Sequence, residues 1–272
     1  MIDSAHTRAA ISDLLQATSC GQRELRLLKS LGFTDVKRAW TNIASLRETI
    51  GPADPTGHLL PTFLSELVQG FDAEVGLNAA ERLAASLETP ERLVPLCLED
   101  ASSRRALVAC LSGSPYLSEM LISEPKLLEE VFGSGELGRS VFKDELEAEL
   151  ARQLEKAEGM EGAMKVLRRF RRRAFLRLGL RDLMREAELT ETVEDLSNLA
   201  DACLDAGLGF VENLLRARFG EPRYTDSEGV ERLGEFCVIG MGKLGGQELN
   251  FSSDIDLMYV YASERGKTTG IR

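Results

Sequence analysis

The chain is poor in the residues on which most site chemistry depends. Its 272 residues hold two histidines, His6 and His58, which stand far apart. No histidine pair is available as a metal ligand set, and a catalytic imidazole is not expected. Aromatic residues make up 6%, and basic residues are in deficit, 33 Lys and Arg against 44 Asp and Glu, for a net charge of −11. A phosphate backbone needs a basic, aromatic-lined groove, so a nucleic-acid partner is excluded from the expectations. Five cysteines, Cys20, Cys97, Cys110, Cys203 and Cys237, form no C-x-x-C pair and are odd in number. They are expected to be reduced core thiols in a cytoplasmic protein, without zinc. No apolar stretch approaches the roughly 18 residues of a membrane span, and the stretch from Met1 to His6 lacks a signal-peptide core. No membrane partner is expected, and there is no internal repeat or low-complexity tract.

What is present is enough apolar residue for a sizeable core, expected as two or more helical modules with a small terminal unit. The boundaries read as 1–113, 114–222 and 223–272. Thr89-Pro90-Glu91 and Ser114-Pro115 put proline where a first helical turn tolerates it, and Asn78-x-x-Glu81 resembles a capping box. Val193, Leu196, Ala200, Cys203, Gly207, Val211 and Leu214 follow helical spacing. Gly133-Ser134-Gly135 and the stretch from Gly220 to Gly229 read as connections. Residues 1 to about 220 are therefore predicted to be almost wholly helical, with strands confined to about 235–262.

One charge pattern has two readings. Residues 161–185 hold nine Lys or Arg against two acids, and residues 186–205 hold seven acids and no base. The segments could form an antiparallel helix pair whose facing charges neutralise each other. Alternatively Arg169, Arg173, Arg177 and Arg181, four residues apart, make a guanidinium stripe that holds a phosphate or an acidic surface.

The most informative stretch is residues 240–257, Gly-Met-Gly-Lys-Leu-Gly-Gly-Gln-Glu-Leu-Asn-Phe-Ser-Ser-Asp-Ile-Asp-Leu. Phe236-Cys237-Val238-Ile239 and the run from Ile255 to Tyr261 read as buried strands. On a strand Asp254 and Asp256 share one face, about 7 Å apart, while Ile255 and Leu257 turn to the core. Two such carboxylates repel unless a divalent cation lies between them, and hard oxygen ligands select Mg²⁺ or Mn²⁺. Gly240, Gly242, Gly245 and Gly246 let backbone N–H groups approach phosphate oxygens, with Lys243 and Ser253 as further donors. The string also spells G-x-G-x-x-G, but only eight residues separate Gly245 from Asp254. A parallel crossover needs about a dozen, so a dinucleotide fold is excluded. Leu244 after Lys243 excludes a Walker A loop, and Leu257 with Met258 excludes an EF-hand. The parts point to metal-dependent nucleotidyl transfer.

Gly242-Lys243 followed by Ser253-Asp254-Ile255-Asp256 resembles the DNA polymerase β superfamily of nucleotidyltransferases. The whole string is similar to one family within it, the bifunctional glutamine synthetase adenylyltransferase/deadenylylases. Leu167-Arg168-Arg169-Phe170-Arg171-Arg172-Arg173, Arg181-Asp182-Leu183, the run from Leu196 to Ala202, Ser114-Pro115-Tyr116-Leu117, the run from Glu124 to Leu128 and the run from Leu31 to Asp35 fit the same family. The resemblance implies a mainly α fold, helical modules followed by the start of an α+β polymerase β-like nucleotidyltransferase domain. It implies Asp254 and Asp256 as catalytic metal ligands on two Mg²⁺ ions, and ATP or ADP as nucleotide ligands. It also implies glutamine synthetase and the PII signalling protein as partners in nitrogen regulation. Asn250-Phe251-Ser252 and the early position of the motif resemble the half that removes AMP from a tyrosine by phosphorolysis; the adding half and a non-catalytic docking module are the alternatives. In this fold a third carboxylate lies on a later strand. The chain ends sixteen residues past Asp256 without one, so a fragment, inactive alone and with Ser263 to Arg272 as a mobile tail or hairpin end, is expected.

Overall fold

A computed structural model of the chain describes residues 4–135, 137–140 and 142–270. It is mainly helical with a small β part. It divides into two compact units, Met1–Arg139 with Gly179–Glu186, and Ser140–Leu178 with Ala187–Arg272.

The first unit contains α1 (Ser4–Gln16), α2 (Gln22–Ser30), α3 (Val36–Ile50), α4 (Leu59–Val68), α5 (Ala73–Ala85), α6 (Pro90–Leu98), α7 (Ala101–Gly113), α8 (Pro115–Ser123) and α9 (Lys126–Phe132). Four of these helices, α3, α5, α7 and α8, start at a short polar residue that accepts otherwise unpaired N–H groups. Asp35 accepts from Arg38, Asp72 from Glu74 and Val75, Asp100 from Ser103, and Ser114 from Leu117. The core is leucine-rich, with Leu28, Leu46, Leu111, Leu121 and Leu127 fully buried. Each such side chain stabilises the fold by about 1.5–3 kcal/mol.

Asn78 and Glu81 do not start a helix. They lie inside α5, where Asn78 Oδ1 accepts from Asn42 at 2.7 Å and Glu81 accepts from Ser45 at 3.0 Å, tying α5 to α3. A polar pair at that spacing serves an interhelical contact as readily as a cap. The boundary expected at 113/114 also differs from the structure. Ser114 alone separates α7 from α8, whose first residue is Pro115, and the two helices pack together within one unit.

In the second unit α10 (Lys143–Leu154) lies along α12 (Leu189–Phe219), and α11 (Gly159–Leu183) leaves this unit at its C-terminal end to join the first. Leu167 of α11 abuts Gly207 of α12, and Arg171 acts on the Cys203 thiol. Rising numbers on one helix meet falling numbers on the other, so the two run antiparallel. Arg173 takes its carboxylate from α10, Glu149 at 2.6 Å, not from the acidic segment. The arginine stripe is not an open phosphate cradle, since Arg181 is buried and Arg169, Arg177 and Arg181 all have interaction partners.

Among the described residues the β part holds two small sheets. β1 (Pro222–Thr225) pairs antiparallel with β2 (Glu231–Leu233) and with β5 (Lys267–Thr268), giving the order β2-β1-β5. β3 (Phe236–Gly240) pairs antiparallel with β4 (Leu257–Tyr261). Strands are therefore not confined to 235–262. The stretch read as a connection is a hairpin whose turn is closed by Asp226, which accepts from the N–H groups of Glu228 and Val230. Ser263 to Gly270 returns to β1 through β5 instead of forming a free tail. Ile271 and Arg272 lie outside the described residues. β3 and β4 are not buried strands either: Ile239, Ile255, Met258, Tyr259 and Tyr261 are all exposed. Nor are the thiols uniformly in the core. Cys110 is buried, but Cys20 and Cys237 are exposed, and the Cys97 side chain lies outside the described set. Among the described residues no single helix is long and apolar enough to cross a membrane.

Candidate active site

The glycine-rich loop is built onto the β3–β4 hairpin. The ladder runs from Phe236 opposite Tyr261 to Gly240 opposite Leu257, and the Met241 N–H donates to the Asp256 carbonyl at 2.9 Å as the next rung. Asp256 thus sits directly across from the start of the loop. Asp254 and Asp256 are not within a strand; they form the irregular segment that feeds β4. Both are exposed, and among the described residues neither carboxylate makes a hydrogen bond or ion pair. No group of three or more His, Cys, Asp or Glu converges on one point among the described residues.

Between the strands the chain makes α13 (Gly242–Gly245), one turn capped by Met241. Two glycines have separate reasons to be there. Gly242 has φ of +56°, where a β-carbon is strained. At Gly245 a β-carbon would lie 2.5 Å from the Gly240 carbonyl oxygen, so the turn closes on the strand only without a side chain. The N–H groups of Gly245 and Gly246 are not turned outward to a phosphate. They donate to the Met241 and Gly242 carbonyls at 3.3 and 3.1 Å, because α13 needs them to close. Ser253 is likewise engaged: its hydroxyl donates to Asn250 Oδ1 at 2.7 Å and accepts from the Asn250 N–H at 3.3 Å. Gly242 and Lys243 are exposed, and Lys243 has no ion pair among the described residues. The structure therefore gathers Gly240, Gly242, Lys243, Gly245, Gly246, Ser253, Asp254 and Asp256 into one loop at one end of the hairpin.

The loop is seated on the helices by residues outside the candidate site set. Leu244 and Leu249 are buried. The Leu249 N–H donates to Ser197 Oγ of α12 at 3.1 Å, and Gln247 Nε2 donates to Asp201 of α12 at 3.1 Å. The Phe251 ring stands edge-on to Phe175 of α11, centroids 5.2 Å apart. Ser197 and Asp201 lie one helical turn apart in the run Leu196-Ser197-Asn198-Leu199-Ala200-Asp201. Two polar residues one turn apart beside Leu196, Leu199 and Ala202, which are buried, were the signal that could have found them.

The family profile described as glutamate-ammonia ligase adenylyltransferase matches residues 104–272. The chain belongs to that family. Over 165 residues it is 42% identical to the bifunctional glutamine synthetase adenylyltransferase/adenylyl-removing enzyme of Thioalkalivibrio sulfidiphilus, covering 61% of this chain and 16% of that protein. It is 34% identical over 220 residues to the protein of the same name in Pseudomonas syringae pv. tomato, covering 81% of this chain and 21% of that one. The chain thus matches about a fifth of the length of these relatives. The part matched to the adenylyltransferase family includes the whole of α11, α12 and the β3–β4 hairpin with its loop.

Proposed function

We propose that this chain carries an adenylyl-transfer site of the full-length enzyme, and that the site works in the adenylyl-removing direction on a tyrosine of glutamine synthetase. The observation that carries the reading is the pair Asp254 and Asp256. Both are exposed carboxylates without a protein partner among the described residues, held opposite the glycine loop by the Met241 to Asp256 hydrogen bond. Such a donor set fits a hard divalent cation. Mg²⁺ held by Asp254 and Asp256 would supply positive charge to the adenylyl phosphate oxygens.

The chain's own residues do the rest. Gly242 leaves the loop surface open to a phosphate, and Lys243 adds a mobile cation beside it. In the removing direction an oxygen of inorganic phosphate bonds to the adenylyl phosphorus as the phosphorus–tyrosine oxygen bond breaks. The products are ADP and tyrosine, whose phenolate then takes up a proton. A phenol of pKa about 10 departs without a strong general acid, consistent with a loop that offers no histidine. The adding direction would instead use ATP. Asn250-Phe251-Ser252 supports removal through the family resemblance, and here Asn250 organises the turn that presents Asp254. The same reading makes the PII signalling protein a regulatory partner, which calorimetric titration with purified PII would test, and puts the enzyme in the cytoplasm.

The deciding experiment replaces Asp254 or Asp256 by asparagine in the full-length enzyme. ADP formation from adenylylated glutamine synthetase, phosphate and Mg²⁺ should fall by about 10²-fold or more, with helical content unchanged. More than about a tenth of the activity remaining in both variants rejects the assigned role. A loss confined to ATP-dependent addition would reverse the direction.

A further inference from the structure

We propose that Asp201 of α12 is a positioning residue that holds the glycine loop in the conformation from which Asp254 and Asp256 act; this rests on the reading of those two carboxylates given above. Gln247 is the pivot. Its φ of +55° puts a residue with a long side chain in the left-handed region, where such residues are uncommon and persist only when the surroundings hold them. Two backbone bonds close the loop around it, the Gln247 N–H to the Leu244 carbonyl at 3.1 Å and the Glu248 N–H to the Lys243 carbonyl at 2.7 Å, and its side chain ties it to α12, Nε2 donating to Asp201 Oδ2 at 3.1 Å. The same oxygen receives Lys143 Nζ of α10 at 3.5 Å, so one carboxylate ties α10, α12 and the loop together.

The neighbouring contacts follow a pattern. Gln247, Leu249 and Phe251 meet Asp201, Ser197 and Phe175 in turn, while Glu248 is exposed. Alternate residues thus bind the helices. Ser197 is fully buried, accepts the Leu249 N–H and donates to the Val193 carbonyl at 2.8 Å, so its place is set by the helix itself. Asp201 differs, because it is partly exposed and acts on the strained residue. Without the Asp201 tie only the loop's own backbone bonds hold Gln247, and a shift there passes through Leu249 to the Asn250 turn that presents Asp254. Misplacing a reacting group by about 1 Å can cost about 10²-fold in rate.

The test uses the full-length enzyme with Asp201→Ala and Asp201→Asn, assayed for removal and addition of AMP beside Asp254→Asn. Asp201→Ala should lower kcat by about tenfold or more in whichever direction Asp254→Asn abolishes, with KM for glutamine synthetase within about threefold. The other direction should not change, which separates a local effect from unfolding. Asp201→Asn keeps an oxygen that accepts the same N–H and should restore kcat to within about threefold. Hydrogen exchange at the Leu249 amide should quicken in Asp201→Ala and not in Asp201→Asn. Wild-type kcat in Asp201→Ala beside an inactive Asp254→Asn overturns the proposal, as does an equal fall in both directions or unchanged Leu249 exchange. If Asp254→Asn is itself fully active, the reading of the site fails, and the Leu249 exchange still decides whether Asp201 holds the loop.

Discussion

Adding one methyl group at Gly245 should be far more damaging than adding the same group at Gly242, although Gly242 has the unusual backbone angle. At Gly245 the new β-carbon would lie 2.5 Å from the Gly240 carbonyl oxygen and 3.3 Å from its carbon. A carbon–oxygen contact settles at about 3.3–3.6 Å, so the two backbones must separate by about 1 Å. Neither contact is with a flexible side chain. Gly240 is the last residue of the β3 ladder, paired with Leu257, and the next rung is the Met241 to Asp256 hydrogen bond. The displacement therefore reaches Asp256 directly. At Gly242 the β-carbon would meet nothing within 4 Å, and the cost is the left-handed conformation alone. That costs about 1–2 kcal/mol, about tenfold if all of it is expressed in the rate. Displacement at Gly245 predicts about 10²-fold. The assay is adenylyl removal and addition by the full-length variants, with thermal unfolding as a control. Both variants should keep Tm within a few degrees, because Gly242 and Gly245 are themselves exposed. A Gly245→Ala enzyme as active as the wild type, or a Gly242→Ala enzyme that is the more impaired, would refute the reasoning.

Two further predictions concern the first unit and the thiols. Burial pushes the Asp54 carboxyl up, but N–H groups of Leu60, Leu59 and Gly57 and the Thr56 hydroxyl outweigh it and hold the group below its ordinary value. A lowered folded pKa contributes stability that is present above the unfolded value near 3.9 and is lost as pH falls through the folded value. Urea unfolding followed from about pH 5 to pH 3 should therefore show a decline that Asp54→Asn flattens; parallel curves would rule Asp54 out as a source. Burial also pushes the Cys110 thiol up to about 12 and the Cys203 thiol up to about 11. A thiol reagent near pH 8 should label the exposed Cys20 and Cys237 at once and reach Cys110 only on unfolding, and early labelling of Cys110 by mass spectrometry would contradict its burial.

Much of the helical part was readable because its signals are local. Thr89-Pro90 and Ser114-Pro115 mark the starts of α6 and α8, since a proline ring and a missing N–H act within one turn. The short link between Gly245 and Asp254 excluded a parallel crossover, and β3 and β4 are antiparallel. The β1–β2 hairpin was missed because its strands are only four and three residues long and its Asp-Ser-Glu-Gly turn looks like any polar connection. Asn78 and Glu81 were misread because their partners, Asn42 and Ser45, lie on another helix.

The sequence by itself determined the helical bulk, the glycine loop and the presence of two aspartates one residue apart. Each depends on backbone chemistry within a few residues: caps, period, φ freedom and strand alternation. Only the tertiary structure decided which loop atoms remain open. It closed the Gly245 and Gly246 N–H groups into α13, engaged Ser253 with Asn250, and left Asp254 and Asp256 exposed. It also brought Ser197 and Asp201 to residues 46 and 52 positions further on, Gln247 and Leu249 in crossed order. The loop runs against the direction of α12. No local rule encodes it, because the register is set by where Leu249 and Phe251 find apolar cover.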